Sequence, residues 1–326
     1  MFHRLIDGHP SFNIIFKFCI YCNKDYCFPL ITIKEFPSVK KTIFMIILVL
    51  FQISAISEDK KPSLLCHVGG TMRPAIEEIA KAYEKETGQK IEVNSADSGE
   101  LIAHIELKKD GDLYVCHDPF MDQLMGKKLG VDAWTIAELV PVIAVKKGNP
   151  KKIKGVQDLA KPDISLVFPD YDTSTLGHIL PSIFKKGGVD FEKLNKEKKI
   201  VLNRSGSYAA NYVVTGNADA TIVWNAVAFL RSKDLDVVNI TEALPVPDVD
   251  AITSATNKTY RLLPVRVTVS TLTVSKDPGA AAKFAEFISS EKGSSILQKF
   301  GFLIDKKHLK KEYENGKKIE SKDAVK

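Results

Sequence analysis

From residue 61 onward, short apolar runs alternate with stretches in which apolar residues return every three or four positions. The first kind reads as a buried strand and the second as one covered face of a helix. The spacing predicts its clearest helix over 73–87, with Ala75, Ile76, Ile79, Ala80 and Tyr83 on one side. Further helices are expected at 101–107, 119–127, 156–159, 177–184, 208–215, 226–231, 278–290 and 293–300. Strands are expected at 62–70, 90–94, 112–116, 139–145, 164–169, 199–202, 220–224, 237–240 and 262–274, with a Pro- and Asp-rich loop at 243–255. Pro181 lies where it should kink or shorten the helix it falls in. Strand–helix alternation over more than 200 residues predicts an α/β fold, with mostly parallel sheets flanked by helices and enough chain for two sheets.

The pattern changes at both ends. Upstream, Ile43–Ile53 forms one continuous apolar run, preceded by Lys40 and Lys41 and followed by Ala55, Ile56 and Ser57. It is too short to span a bilayer, which takes about 20 residues. Charge, apolar run and small residues together predict a signal peptide cleaved before Glu58, and hence a periplasmic or secreted protein. Residues 1–57 are therefore expected to lie outside the mature fold, along with the Cys19, Cys22 and Cys27 cluster. Downstream, 305–326 carries eight Lys and five acidic residues with few apolar ones, and reads as a solvated, partly disordered tail.

Composition narrows the function classes. The 326 residues are 44% hydrophobic and 26% charged, with a formal net charge of +6. Half of that excess lies in residues 1–57, which hold six basic and three acidic side chains; the remainder has 40 and 37. Such an even balance does not suit a nucleic-acid binder. There is no HExxH, no P-loop, no GxGxxG after a strand and no nucleophile elbow, so neither an enzyme nor a cofactor is expected. No metal site is expected either: along a strand, Cys66 and His67 point to opposite faces. Cys66 and Cys116 could form a disulfide if their strands are neighbours.

Four predicted strand-to-helix turns share a chemistry. They are Gly69-Gly70-Thr71, Ser95 to Gly99 with Ser98, Asp172 to Gly177, and Asn203 to Ser207. Each sets hydroxyl residues at a helix N-terminus, usually beside glycine. Free N–H groups and the positive dipole end favour anions there. Plain N-capping explains any one turn alone; four of them point to a shared anionic ligand.

Val68–Gly88, Ser98–Ile105, Gly111–Asp118, Thr215–Trp224, Lys283–Ile288 and Lys299–Phe302, in this order, resemble the periplasmic molybdate-binding proteins of ABC transporters. The resemblance covers about residues 62–304. It implies a two-lobed type II binding-protein fold, with one lobe of residues 58–140 plus 262–304 and another of 141–261. The chain would cross between them near 137–142 and 246–264. It also implies a monomer that holds molybdate or tungstate in the interlobe cleft through uncharged donors and delivers it to a permease. Carried over residue by residue, the contacts fall on Thr71, Ser98, one of Ser174, Thr175 and Leu176, and Gly206 or its neighbours Ser205 and Ser207. The family's tyrosine is replaced by Trp224, and a serine by Thr71. Phosphate, sulfate or another small anion on the same scaffold is the alternative. Two others are a secreted enzyme using His117 and Asp118, and a sensor that has lost its ligand.

Overall fold

The computed structural model describes residues 22–23, 26–27, 62–170, 174–198, 200–244, 252–253, 259–260, 265–307 and 309–320. Met1–Lys60 and Lys61–Lys326 are separate compact units. In the first, β1 (Cys22–Asn23) pairs antiparallel with β2 (Tyr26–Cys27), opposing Cys22 and Cys27 in register. The predicted signal peptide and Cys19 lie outside the described residues.

The second unit opens with β3 (Leu64–Gly69), α1 (Arg73–Thr87), β4 (Ile91–Ala96), α2 (Ser98–Lys108), β5 (Leu113–His117) and α3 (Phe120–Gly126). The order then runs β6 (Gly130–Leu139), β7 (Pro141–Lys146), β8 (Val167–Pro169), α4 (Thr175–Lys186), α5 (Phe191–Lys198) and β9 (Val201–Asn203). Next come α6 (Gly206–Val214), β10 (Ala220–Trp224), α7 (Asn225–Phe229), β11 (Leu235–Val238), β12 (Ile252–Thr253) and β13 (Thr259–Tyr260). The last elements are β14 (Val265–Leu272), α8 (Pro278–Ser289), α9 (Glu291–Lys299), β15 (Lys311–Glu314) and β16 (Lys317–Lys318).

Two main sheets result. The large one has the order β16-β15-β6-β14-β5-β3-β4, and the small one β10-β7-β11, with the pair β8-β9 bridged to β10 through Leu166 and Ala220. Among the described residues, parallel pairing is confined to β3 with β4 and β5, β8 with β9, and that bridge. Every other strand pair is antiparallel, so the sheets are mixed rather than mostly parallel. The reason is topological. Helical crossovers deliver parallel neighbours, whereas β7 and β14 enter their sheets from the other half of the molecule.

Alternation along β5 places Leu113 and Val115 in the principal core and Tyr114 and Cys116 in a second core under α2 and α3. The same division separates Cys66 from Cys116. Their strands are adjacent, but Cys66 lies opposite Leu113 and packs on the other face, so both thiols are free and buried. Burial pushes the Cys116 thiol up to about 12.

The chain passes between the sheets at Val140. Asn225 holds that point: its Oδ1 accepts from the Val140 N–H at 2.9 Å, and its Nδ2 donates to the Gly301 carbonyl at 2.7 Å. The expected second crossing lies mostly outside the described residues.

Two expectations are overturned. Pro181 does not shorten its helix: α4 runs past it to Lys186. It sits on the exposed side, while Leu176, Ile179, Leu180, Ile183 and Phe184 are buried opposite, so the helix loses one N–H donor but keeps its apolar packing. The tail is not a solvated end over 311–318: β15 joins β6 in the large sheet. Charge pairing makes this possible. Arg266 donates to Asp118 Oδ1 at 2.6 Å and also pairs with Glu312, while Thr135 Oγ1 donates to Glu312 Oε1 at 2.6 Å. Asp118 is 2% and Glu312 7% exposed. Burial works against the guanidinium charge, but Asp118 and Glu312 outweigh it and hold Arg266 well above its ordinary range.

Candidate functional site

The first turns of α1, α2, α4 and α6 face one cavity of about 910 Å³ between the two halves. All nine residues singled out from the sequence line it: Thr71, Ser98, Ser174, Thr175, Leu176, Ser205, Gly206, Ser207 and Trp224. The four turns meet because each follows a strand that ends at this edge of its sheet.

Side chains differ in what they offer there. On the large-sheet side, Ser98 is buried at the start of α2, and its carbonyl accepts from Tyr114 Oη at 2.9 Å. A Cβ on Gly69 would lie 2.5 Å from Ser98 Oγ, so the glycine is what lets that hydroxyl sit beside the end of β3. Asp97, which caps α2, makes no side-chain capping bond.

On the small-sheet side, Ser174 Oγ is already engaged. It accepts from the Gly177 N–H at 2.9 Å and donates to the Asp170 carbonyl at 2.9 Å. That hydroxyl is a helix cap, which leaves the backbone amides at the start of α4, at Thr175 and Leu176, as the donors of this turn. Ser205 caps α6 through its backbone alone and makes no side-chain capping bond.

Trp224 ends β10 and is 4% exposed. Its ring centroid stands 5.8 Å from that of His117, which stands 5.7 Å from Phe120. These three rings form an aromatic wall. His117 Nδ1 lies 2.8 Å from the Asp118 carbonyl, which can only accept, so Nδ1 carries the proton. Burial lowers the pKa of His117, and the neutral ring keeps Nε2 as an acceptor.

The cleft also holds charges that the sequence reading did not anticipate. Arg73 is on the large-sheet side and Arg204 on the other. Arg73 Nε donates to Glu77 at 2.7 Å, and Arg204 Nη2 stands 3.8 Å from Asp97 Oδ2 across the mouth. Arg204 follows Asn203 in the predicted turn, and Arg73 opens α1, so both were visible as turn residues without an assigned role. His117 and Asp118, weighed as an enzymatic pair, part company: His117 faces the cavity while the Asp118 carboxylate is bonded to Arg266.

A family model described as bacterial extracellular solute-binding protein matches residues 64–303. The chain belongs to that family. This solute-binding protein is 26% identical over 242 residues to a protein of Haemophilus influenzae described as a binding protein, covering 74% of this chain and 90% of that one. It is 23% identical over 245 residues to the molybdate-binding protein ModA of Mycobacterium tuberculosis, covering 74% and 84%. Among solved structures, Peb3 from Campylobacter jejuni aligns with a TM-score of 0.57 at 20% identity, over 74% of this chain and 100% of that one. Another structure, of PEB3 with L-phospholactate bound, gives 0.56 at 19%. At these identities the structural likeness establishes the two-lobed fold of periplasmic binding proteins. The ligand of this solute-binding protein is a separate question, which its own cleft must answer.

Proposed function

We propose that the protein captures a tetrahedral oxyanion, molybdate or tungstate first, in the cleft between its lobes and delivers it to an ABC permease outside the cytoplasm. One observation carries the reading: four helix N-termini, two from each half, line a single cavity with hydroxyl and amide donors. Molybdate and tungstate are fully deprotonated near neutral pH, so they only accept hydrogen bonds, and donors without acceptors suit them. Thr71 and Ser98 would bind from one lobe, and the amides of Thr175, Leu176, Gly206 and Ser207 from the other. A ligand touching both lobes favours their closure about Val140, because its contacts are complete only in the closed form. The lobes run over 58–140 with 262–304 and over 141–261, and the charged leader of the chain acts as its export signal. The relative ModA binds molybdate by its name.

A second reading has its own support. The cavity, about 910 Å³ and open to solvent, is wider than one oxyanion fills. Arg73 and Arg204 add charge, and His117 Nε2 adds an acceptor. An organic oxyanion, with its head at the helix N-termini and a protonated or hydroxyl group toward His117, uses all of these. PEB3 has been solved with L-phospholactate.

Calorimetry on the full chain with molybdate, tungstate, sulfate, phosphate and a small phosphorylated carboxylic acid decides between them. Molybdate and tungstate binding tightly, and sulfate weakly, is the expected result. Binding of the phosphorylated acid alone establishes the second reading, and silence from every anion overturns both.

A further inference from the structure

A second cluster lies on the large-sheet half, and none of its residues lines the cleft. His67 from β3, His104 from α2 and Asp110 from the turn between α2 and β5 place one ligand-type atom each within 4.8 Å of one another. His104 lies six residues beyond Ser98, about 9 Å along the helix from the cleft end.

His67 Nε2 lies 3.3 Å from the Asp110 carbonyl, which can only accept. Asp110 Oδ1 lies 3.0 Å from His104 Nε2 and 3.7 Å from His67 Nε2. Yet this oxygen is buried and makes no hydrogen bond. A buried carboxylate oxygen without a donor is costly to leave alone. Around a tetrahedral ion with N and O ligands at about 2.0–2.1 Å, ligand atoms stand roughly 3.3 Å apart, between the two observed distances. The rings of His67 and His104 are tilted at 60° with centroids 5.1 Å apart, so they are not stacked face to face.

The surroundings hold these groups in place. Lys109 at φ 54° and Gly111 at φ 107° bend the turn around the His67 ring. A Cβ on Gly111 would lie 2.5 Å from His67 Cδ2, so the imidazole occupies the space a side chain would need. On the other side, Asn94 Nδ2 lies 3.0 Å from His67 Nδ1. With the Asn94 amide turned over, its oxygen accepts from Nδ1–H, and a metal replacing the proton that Nε2 now gives the Asp110 carbonyl would meet the outer-shell arrangement common to metal-bound histidine. His67 is fully buried, while His104 and Asp110 are 37% and 45% exposed, so the cluster opens to solvent on one side.

We propose that His67, His104 and Asp110 form a divalent transition-metal site, for zinc first, with water completing the coordination. Two imidazoles and one carboxylate suit zinc, and cobalt serves as its spectroscopic substitute. The bound ion would tie β3, α2 and the following turn together, independently of the anion in the cleft.

The test uses the full chain carrying Cys19→Ser, Cys22→Ser and Cys27→Ser, which silences the other metal-type cluster of the sequence. Zinc calorimetry and the visible absorption of added cobalt are recorded, with thermal unfolding followed in parallel. One zinc per chain, a cobalt spectrum without thiolate charge transfer, and a raised Tm are expected. His104→Ala and Asp110→Asn, both at partly exposed positions, should each weaken binding by about 10–100-fold or more. His104→Gln supplies the same test should the alanine variant fold poorly. Absence of zinc binding in the parent, or unchanged affinity in the histidine and aspartate variants, overturns the site. Anion calorimetry on the same samples is expected to be unaltered.

Discussion

The two sides of the cleft look alike in sequence and differ in construction. On the large-sheet side, Ser98 is buried beneath Gly69 with its hydroxyl free of capping duty, and its turn rests on a seven-stranded sheet. On the small-sheet side, Ser174 is committed to capping α4, and the turns rest on the short pair β8-β9. Serine at a helix start can therefore be a ligand donor on one wall and a structural cap on the other. What separates the cases is whether the first-turn amide has taken the hydroxyl.

The strongest way to break this contrast is to unsettle the large-sheet wall. Arg266→Met leaves Asp118 buried without its partner and should cost about 3–5 kcal/mol in denaturant unfolding. A loss below about 1 kcal/mol would show that charge does not hold β14 to the tail strand. Next in size, Ser98→Ala or Thr71→Ala should each remove about 1.5–3 kcal/mol of anion binding by calorimetry, since a hydrogen bond to a charged group is lost. Equal affinity in both variants would remove the large-sheet wall from the site.

Acid should act on the same wall. His117 titrates below its usual 6.5 in the folded chain because it is buried, so the unfolded chain takes up its proton first. The stability from neutral His117 is complete above about 6.5 and is lost as pH falls through the folded value. One proton limits the slope to about 1.4 kcal/mol per pH unit. His117→Gln should flatten the stability–pH curve measured by urea unfolding, and an unchanged curve refutes the assignment.

Ser174→Ala tests the small-sheet wall: the lost cap should destabilise the chain by about 1 kcal/mol, with less effect on anion affinity than Ser98→Ala. The reverse ranking would exchange the roles of the two serines. Smallest of all, Asp97→Asn breaks the exposed Asp97–Arg204 pair across the mouth and should change stability by roughly 0.2–1 kcal/mol.

Much of this was legible in the sequence. The helix at 73–87 is where its apolar spacing places it, and the anion-type turns announce themselves by glycine beside hydroxyl residues. The missed elements are those whose pattern is broken by charge. β6 contains Asp132 and Glu138, and its partner β15 reads Lys-Glu-Tyr-Glu, which in isolation looks solvated. Lys311 bridges to Asp132 at 3.3 Å, and Arg266 reaches Glu312, so the signal for these strands lies in charges far apart along the chain. Helix α5 was hidden for a related reason, since Phe191 and Leu194 are its only apolar residues. The His67, His104 and Asp110 cluster had no spacing signature, because three separate elements bring it together.

The tail strand has one more effect. A sheet that ends in an unpaired strand invites the same strand of another molecule to add to it, which is how soluble chains begin to stick together. The large sheet ends in β4 on one side and in β16 on the other, and β16 is only two residues long and made of Lys317 and Lys318. A second molecule approaching this border meets its own positive charge and finds almost no backbone to grip. The lysines that make the tail look unstructured thus leave that border of the sheet with charge and little backbone for a further strand.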